Sequence, residues 1–309
     1  MPTLFWTGKI SLPLKLLVNM GCTIAWITGN ARDSDAVKER MKNGYDGKYS
    51  NYIKKYDELA SFHYEKISNR LIQKIECKGK EVIDVGCGTG ILSFAALEKG
   101  ASKICCVDMS KLMLEKCRQK SISMGYTDAL ISFYEADAEK LPFNDSTFDV
   151  VLLNMVLGMI PNQQKTITEL ARIVRPGGTI ALSAHGPAHN MEAIEAGVRS
   201  MNKRYFFSHR FEFWPRDEKA IRTFLMKADL ENIEIRRLTW IDEFESGAEG
   251  FDFFASTSGL WWYHRLPPGI RDKETEKTRK YFLDKKITKI TSDVVFASGS
   301  RRSDGEVRN

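Results

Sequence analysis

The chain has 309 residues, of which 43% are hydrophobic and 28% are charged, and its net charge is +6. These globular values exclude a disordered chain, and a mean hydropathy of −0.32 excludes a polytopic membrane protein. Six cysteines without a CxxC or His-rich cluster argue against a disulfide scaffold or a structural zinc site. They favour a reducing compartment, so the expected location is the cytoplasm.

Near the N-terminus an apolar segment runs from Leu12 to Ile27 and is interrupted by Pro13, Lys15 and Asn19. Its longest part without a charged residue or proline, Leu16 to Ile27, is shorter than the roughly 20 residues that span a bilayer. We therefore expect a buried or partner-covered helix here rather than a transmembrane one. An interfacial membrane helix and a cleaved signal peptide are the alternatives.

Short apolar strand patterns alternate with helical patterns through the middle of the chain. In chain order they predict a strand at 82–85, a helix at 91–97, a strand at 104–107, a helix at 111–120, strands at 131–134 and 148–154, a helix at 163–174 and a strand at 179–184. Pro176-Gly177-Gly178 is a stop signal between the last helix and strand. The alternation predicts a doubly wound α/β domain with a mostly parallel sheet, whose ligands bind beyond the carboxyl ends of the strands.

The first of these strands runs into a glycine-rich turn, Gly86-Cys87-Gly88-Thr89-Gly90. Glycines at alternate positions let the backbone turn sharply and approach a ligand closely. Asp108 ends the next strand, 18 residues beyond Gly90. A carboxylate at that place can accept hydrogen bonds from both ribose hydroxyls of an adenosine-containing cofactor.

Two residues distinguish between adenosine cofactors. The dinucleotide fingerprint needs glycine where this chain has Ile91. Asp84, inside the apolar strand, suits a cationic ligand or an amino group better than a pyrophosphate. An NAD-dependent oxidoreductase is therefore the second hypothesis, and a non-catalytic cofactor-binding or interaction protein is the third.

The motifs that follow one another along the chain carry a family resemblance. They are Val82–Gly90, Asp108-Met109, Asp137-Ala138, Leu141-Pro142-Phe143, Ser146–Val151 and Arg175-Pro176-Gly177-Gly178. In this order they resemble the class I S-adenosylmethionine-dependent methyltransferases, in the branch of the ubiquinone and menaquinone C-methyltransferases. The resemblance implies a Rossmann-like methyltransferase fold with a seven-stranded sheet.

The resemblance also implies roles for individual residues. Asp84 and the glycine loop (Gly86, Cys87, Gly88, Gly90) would hold the methionine moiety and its amino group, and Asp108 would hold the ribose. Met109 would pack on the adenine, Asp137 would accept from the adenine amino group beside Ala138, and Asn154 would lie near the transferred methyl group. Tyr64, on a helix that caps the cofactor, would approach its methionine end.

A general base is needed only if the acceptor must lose a proton during transfer. His185 is the main candidate because it directly follows the fifth strand and should lie on the ligand side of the sheet. His189 and His264 are weaker candidates, and no set of metal ligands stands out.

Two aromatic-rich insertions, at about 186–214 and 241–286, are expected to form the acceptor site over the sheet. The tyrosines of the N-terminal part are predicted to be mainly a packed helix face. The expected domains are an N-terminal helical cover at 1–70, a methyltransferase domain at 71–299 and a polar tail at 300–309. The final strands are predicted near 233–240 and at 290–297.

The expected acceptor is a small, lipophilic or aromatic molecule, methylated on carbon or oxygen, and no nucleic-acid partner is expected. Between His264 and Ile290 the sequence contains nine Lys or Arg and four Asp or Glu, so most of the excess positive charge lies there. A solvated helix face is the default explanation. Docking on an anionic membrane is the alternative, because it would bring the enzyme to a lipophilic acceptor.

Overall fold

We analysed a computed structural model that describes residues 34–49, 51–202, 214–257 and 266–303, together with residues 9, 11–13, 15–16 and 19–20. Much of the apolar segment at 12–27 lies outside the described residues. So do the aromatic positions Tyr205, Phe206, Phe207, Phe211, Phe213, Trp261, Trp262 and Tyr263, and the candidate base His264.

The described helices and strands alternate through the middle of the chain, as the periodicity predicts. In order they are α1 (Ser34–Tyr45), a 3-10 turn (Tyr52–Lys55), α2 (Tyr56–Ile72), β1 (Glu81–Val85), α3 (Ile91–Glu98), β2 (Lys103–Asp108), α4 (Lys111–Ser123), β3 (Ile131–Glu135), β4 (Phe148–Asn154), a second 3-10 turn (Leu157–Met159), α5 (Gln163–Ile173), β5 (Val174–His185), α6 (Met191–Ser200), α7 (Glu218–Lys227), β6 (Leu230–Glu243), α8 (Gly247–Thr257), α9 (Pro268–Asp284) and β7 (Lys289–Arg301). Within the described ranges, every helix is too short or too polar to span a bilayer.

The seven strands form one sheet in the order β3-β2-β1-β4-β5-β7-β6. The pairs β1 with β2, β1 with β4, β2 with β3 and β4 with β5 are all parallel. The predicted doubly wound, mostly parallel seven-stranded sheet is thereby confirmed.

The chain divides into two compact units. The first gathers Met1–Ser61, His185–Pro215 and Leu238–Val294, and the second gathers Phe62–Ala184, Arg216–Arg237 and Val295–Asn309. The first unit thus draws on the N-terminal segment and on both predicted insertions, while the second holds the glycine-rich turn. The predicted boundaries at residues 70 and 299 stay predictions.

The core of the second unit is built from the apolar strands of the sheet and the helix faces that cover it. Ile83 of β1, Val151 and Leu153 of β4, Leu170 of α5 and Leu182 of β5 are all completely buried. These strands read as continuous apolar runs because helices cover both faces of a parallel sheet. Burial of this kind supplies most of the stability that fixes the strands in register.

The Leu141-Pro142-Phe143 motif forms a turn in the second unit that Arg172 of α5 holds in place. The guanidinium of Arg172 donates to the carbonyl oxygens of Phe143, at 2.8 Å, and Leu141, at 3.2 Å. Glu169 accepts from Arg172 at 2.7 Å and from the Leu141 N–H at 2.7 Å. The turn is therefore fixed by charge-assisted hydrogen bonds as well as by apolar burial.

The boundaries of the last strands differ from the prediction. The helix before Pro176 ends at Ile173 and β5 begins at Val174, so Pro176-Gly177-Gly178 lies inside the strand rather than as a stop before it. The register shift between Phe148 and Val150 of the neighbouring strand accommodates this irregular start. β7 runs from Lys289 to Arg301 and so continues four residues beyond the strand predicted at 290–297.

In the first unit, phenylalanines of α8 pack with α9 as an apolar core. The Phe251 and Phe254 rings lie 5.5 and 5.9 Å from the ring of Phe282, and all three side chains are buried. Tyr52 packs edge-on against Phe251 at 5.5 Å, and the Tyr45 hydroxyl donates to the Thr257 carbonyl at 3.3 Å. Phe251, Phe254 and Phe282 are therefore core residues of this unit, and Tyr45 and Tyr52 pack with α8, as the prediction of a packed tyrosine face requires.

Candidate functional site

The strand register of the second unit brings the predicted site elements to one edge of the sheet. Val85 of β1 pairs with Val107 of β2, and Asn154 of β4 pairs with Ser183 of β5. The glycine-rich turn after β1, Asp108 at the end of β2 and Asn154 at the end of β4 therefore share the carboxyl edge. This is the edge where ligands of open α/β sheets bind.

The turn that follows β1 requires glycine at three positions. Gly86, Gly88 and Gly90 have φ values of 71°, 56° and 90°, a region that side-chain-bearing residues rarely adopt. A Cβ on Gly86 would come within 2.3 Å of Val156, whereas one on Gly88 would meet nothing within 4 Å. Gly88 therefore exposes its backbone to open space, as close approach of a ligand requires.

Asp84 is a buried carboxyl group directly behind this turn. Its side chain is 1% exposed, and Oδ2 accepts a hydrogen bond of 2.6 Å from the hydroxyl of Ser93. Among the described residues, no donor lies within hydrogen-bond distance of Oδ1. Burial raises the pKa of Asp84 to about 8, while the hydrogen bond from Ser93 acts in the opposite direction. A buried acceptor without a donor is costly, so this atom suits a cationic or N–H-bearing ligand.

Asp108 joins the end of β2 to the glycine-rich turn. Its Oδ2 accepts from the Gly88 N–H at 2.9 Å, and its Oδ1 accepts from the Ser110 N–H at 2.8 Å. These two backbone hydrogen bonds fix the orientation of the carboxylate at the edge of the sheet.

The predicted adenine-side residues follow the ends of β2 and β3. Met109 is half-buried next to Asp108, and Asp137 and Ala138 are half-buried after β3. The Asp137 carboxylate accepts from the Glu139 N–H at 2.9 Å, which fixes its orientation. The structure therefore places Met109, Asp137 and Ala138 beyond the carboxyl ends of two neighbouring strands.

Asn154 lies in a hydrogen-bond chain between α2 and β5. Its Nδ2 donates to Ser68 at 3.0 Å, and its Oδ1 accepts from Ser183 at 2.5 Å. Tyr64 is half-buried one helical turn before Ser68 and packs edge-on against His63 at 5.0 Å. Since residues four apart share a helix face, Tyr64 belongs to the same side of α2 as Ser68.

The residue after Asn154 has a strained backbone. Met155 has a φ of 57°, which is unusual for a bulky side chain, and its N–H donates to both the carbonyl oxygen and the hydroxyl of Ser183 at 3.0 Å. The strain is held by these bonds and sets the position of Val156 against Gly86. Strained backbone of this kind clusters at functional sites.

The candidate base His185 belongs to the first unit, where it ends β5. It is buried, and its ring lies edge-on to that of His189 at 4.8 Å. The loop after it is tied to β7, because the N–H groups of Gly186 and Ala188 donate to the backbone oxygen and to the carboxylate of Asp293. His185 is thus firmly positioned, and its role as a base stays a prediction.

Four residues of this edge were not predicted from the sequence. Ser93 holds Asp84, Ser68 and Ser183 hold Asn154, and Val156 packs against Gly86. Only Ser93 has a local signal, since it is a polar residue in the first turn of the helix after the glycines. The other three act through contacts between distant parts of the chain.

Comparisons with known proteins agree with this geometry. Residues 83–182 match the family described as a methyltransferase domain. The chain is 30% identical over 176 residues to the demethylmenaquinone methyltransferase of Clavibacter sepedonicus, an alignment that covers 52% of this chain and 69% of the relative. It is 25% identical over 231 residues to the ubiquinone/menaquinone biosynthesis C-methyltransferase UbiE of Cronobacter sakazakii, covering 68% of this chain and 85% of that protein.

Among solved structures, a putative methyltransferase from Bacillus halodurans has the same fold. Its TM-score is 0.54 at 21% identity, and the match covers 77% of this chain and all of that one. The fold and the site together define a Rossmann-like enzyme whose candidate cofactor site lies at the carboxyl edge of its sheet.

The chain belongs to the class I S-adenosylmethionine-dependent methyltransferases, in the branch that includes the ubiquinone and menaquinone C-methyltransferases. Its methyl donor is S-adenosylmethionine. The residues fit this donor, because Asp84 offers a buried acceptor to a cation and Gly88 leaves open space for it. Membership decides against the NAD-dependent oxidoreductase and the non-catalytic alternatives.

The pKa of Asp84 predicts how stability depends on pH without cofactor. Between about pH 4, where the unfolded carboxyl titrates, and about pH 8, the folded state keeps a proton that the unfolded state has lost. The contribution of this carboxyl group to the free energy of unfolding is therefore fully present at about pH 4 and is lost as the pH rises towards about 8. We expect Asp84→Asn to remove this loss, so that the free energy of unfolding falls less between pH 5 and pH 8 than in the wild type.

Urea unfolding of the cofactor-free proteins at several pH values measures this difference. The exposed Asp128→Asn is the matched control for removal of one carboxyl group. The same pH slope in Asp84→Asn and wild type would contradict the prediction.

Proposed function

We propose that this methyltransferase acts on a lipophilic aromatic small molecule with a quinone-type ring, transferring the methyl group to carbon or oxygen. The observation that carries the proposal is the similarity to two relatives whose names specify demethylmenaquinone and ubiquinone or menaquinone biosynthesis. C-methylation is the favoured outcome, since one of these relatives is named a C-methyltransferase.

The cofactor roles follow from the carboxyl edge of the sheet. Asp84 and the glycine-rich turn hold the methionine moiety with its amino group, and Asp108 accepts from the ribose hydroxyls. Met109 packs on the adenine and Asp137 accepts from its amino group beside Ala138, while Asn154 and Tyr64 face the methionine end. The unpartnered Asp84 oxygen, the open space at Gly88 and the preoriented Asp108 carboxylate support these roles.

Removal of the Asp108 carboxylate tests the cofactor site. Asp108→Ala loses two charged acceptors for the ribose, each worth about 1.5–3 kcal/mol, so affinity for S-adenosylmethionine should fall at least about a hundredfold. Calorimetry of wild type and variant measures the change, with thermal unfolding of both proteins as the check that the variant folds. Unchanged affinity in the folded variant would exclude Asp108 as a ribose ligand.

Methyl transfer to a ring carbon needs an electron-rich acceptor, such as the reduced hydroquinone. The ring carbon forms a bond to the methyl carbon as the bond from methyl to sulfonium breaks, and the ring then loses its proton to a base. Placing the acceptor in line within about 3–3.5 Å supplies most of the rate. His185 is the candidate for the proton acceptor.

A direct assay tests the acceptor class. We expect a reduced naphthoquinone that bears an isoprenoid tail and lacks the ring methyl to gain one methyl group on carbon, as detected by mass spectrometry. Its ring-methylated counterpart is the matched control and should gain none.

The His185→Ala variant tests the base. It should lower turnover on the accepted substrate at least tenfold while affinity for S-adenosylmethionine is kept, because the base acts only in the chemical step.

Two outcomes would oppose these assignments. Failure to methylate the quinol by protein that binds S-adenosylmethionine would exclude the quinone-type acceptor. Intact turnover of His185→Ala from pH 6 to pH 9 would exclude the base.

A peripheral membrane contact would bring the enzyme to such an acceptor. Leu12, Leu16 and Met20 are 68%, 62% and 47% exposed. Their spacing of four residues in the sequence is typical of one face of an amphipathic helix. Lys9 and Lys15 lie in the same segment. In α9, ion pairs such as Lys280 with Asp284 neutralise part of the excess positive charge. The exposed apolar side chains near the N-terminus are therefore stronger support for a membrane contact than the basic residues of α9. The cytoplasmic location stays a prediction.

Vesicle sedimentation tests this contact. Leu12→Ser combined with Leu16→Ser should weaken binding to anionic phosphatidylglycerol vesicles at least tenfold, because each buried leucine contributes about 1.5–3 kcal/mol. Met226→Ser, which removes an exposed apolar side chain from α7, is the matched control. Binding that depends on neither the two leucines nor the anionic lipid would exclude the contact.

A further inference from the structure

Three cysteines that are far apart in the sequence meet in the second unit. Cys87 lies in the glycine-rich turn, Cys106 in β2 and Cys117 in α4. Their Sγ atoms all lie within 4.8 Å of one another, and all three side chains are buried as free thiols. We call Cys87, Cys106 and Cys117 the thiol cluster. Its sequence spacing matches no CxxC-type motif, so the sequence gives no sign of it.

The separations suit three-fold coordination of one ion. Zinc–thiolate bonds of about 2.3 Å place three sulfurs around a trigonal ion about 4.0 Å apart. The sulfurs of the thiol cluster would therefore move together by less than about 1 Å, and ions with longer bonds to sulfur require still less movement. Sulfur-only donors select soft ions over magnesium or calcium.

A helix N-terminus and a lysine lie near one sulfur of the cluster. The Lys120 ammonium interacts electrostatically with Cys117. A Cβ atom placed on Gly90 would lie 2.6 Å from the Cys117 Sγ. Because Gly90 is the N-cap residue of α3, this sulfur lies at the N-terminus of that helix. Three thiolates bound to a divalent ion carry a net charge of −1. The positive N-terminal end of α3 and the Lys120 ammonium both stabilise this charge.

We propose that the thiol cluster is a binding site for a soft, thiophilic metal ion such as cadmium, zinc or copper(I). Binding forms three metal–sulfur bonds and releases to solvent the protons that the thiols still carry, so no oxidant or reductant is needed. It assigns a ligand to the Cys106 and Cys117 thiols, which have no role in the proposed methyl transfer.

Occupation of this site also acts on the glycine-rich turn. Cys87 is part of that turn, and its N–H and that of Gly86 donate to the Val107 carbonyl at 2.9 and 2.7 Å. Drawing the Cys87 sulfur toward an ion shifts the turn from the position in which Gly88 donates to Asp108. Metal binding therefore weakens binding of S-adenosylmethionine, and by reciprocity the cofactor weakens metal binding by the same factor. This coupling rests on the proposed role of the turn, whereas the metal site does not.

Cadmium is the probe for the test, added to the full-length, reduced protein without cofactor. We expect one ion per chain with the ultraviolet charge-transfer band of cadmium–thiolate bonds, and release of protons on binding. Cys106→Ser and Cys117→Ser should each lower the affinity at least tenfold. Cys105→Ser is the matched control, because Cys105 is also buried but, as the neighbour of Cys106 in a strand, lies on the opposite face of the sheet.

Several outcomes overturn the proposal. They are absence of the band in the wild type, retention of full affinity in Cys106→Ser and Cys117→Ser, or an equal loss in Cys105→Ser. Thermal unfolding shows whether each variant folds, and where one does not, the wild-type band and its proton release decide.

Calorimetry with S-adenosylmethionine, with and without bound cadmium, tests the coupling. We expect about a tenfold loss of cofactor affinity in the loaded protein. Unchanged affinity would overturn the coupling alone, and a protein that binds cadmium but no cofactor in either state would overturn the proposed cofactor site while the metal site stands.

Discussion

The glycine-rich turn is fastened to the end of β2 by three backbone donors, and the functional edge of the second unit depends on this attachment. The N–H groups of Gly86 and Cys87 share the Val107 carbonyl, and the Gly88 N–H donates to the Asp108 carboxylate. These three bonds fix the turn that lies between Asp84 and the start of α3 at Ile91, and one of them orients the Asp108 carboxylate. A single local constraint thus positions the acid behind the turn and the acid beside it.

The attachment also explains why the two acids differ. Asp84 lies under the turn, where burial raises its pKa and favours the neutral form. Asp108 lies beside the turn and accepts hydrogen bonds from the backbone N–H groups of Gly88 and Ser110. One acid is therefore buried and held by the Ser93 hydroxyl, and the other is held by two backbone donors at the edge of the sheet.

Much of this fold was predictable because the sequence signals are local. The apolar strands β1, β2 and β4 and the glycines between β1 and α3 each carry their own pattern, and their order defines parallel βαβ units. Pro176-Gly177-Gly178 misled the prediction because a strand with a register shift tolerates residues that otherwise end an element. The positions of Asp84, Asp108 and Asn154 followed from the strand ends. Ser68, Ser183 and the thiol cluster could not follow, since each joins parts of the chain that only the folded sheet brings together.

The contact between Gly86 and Val156 has a consequence for how this enzyme can vary. The two residues lie 70 positions apart in the chain, yet any side chain on Gly86 would occupy the space of the Val156 methyl groups. Shortening Val156 alone relieves the collision but not the left-handed backbone of Gly86, so effects of substitutions at the two positions cannot be additive. The order of change at this edge is therefore asymmetric: shortening Val156 creates no collision with Gly86, whereas any side chain on Gly86 collides with Val156.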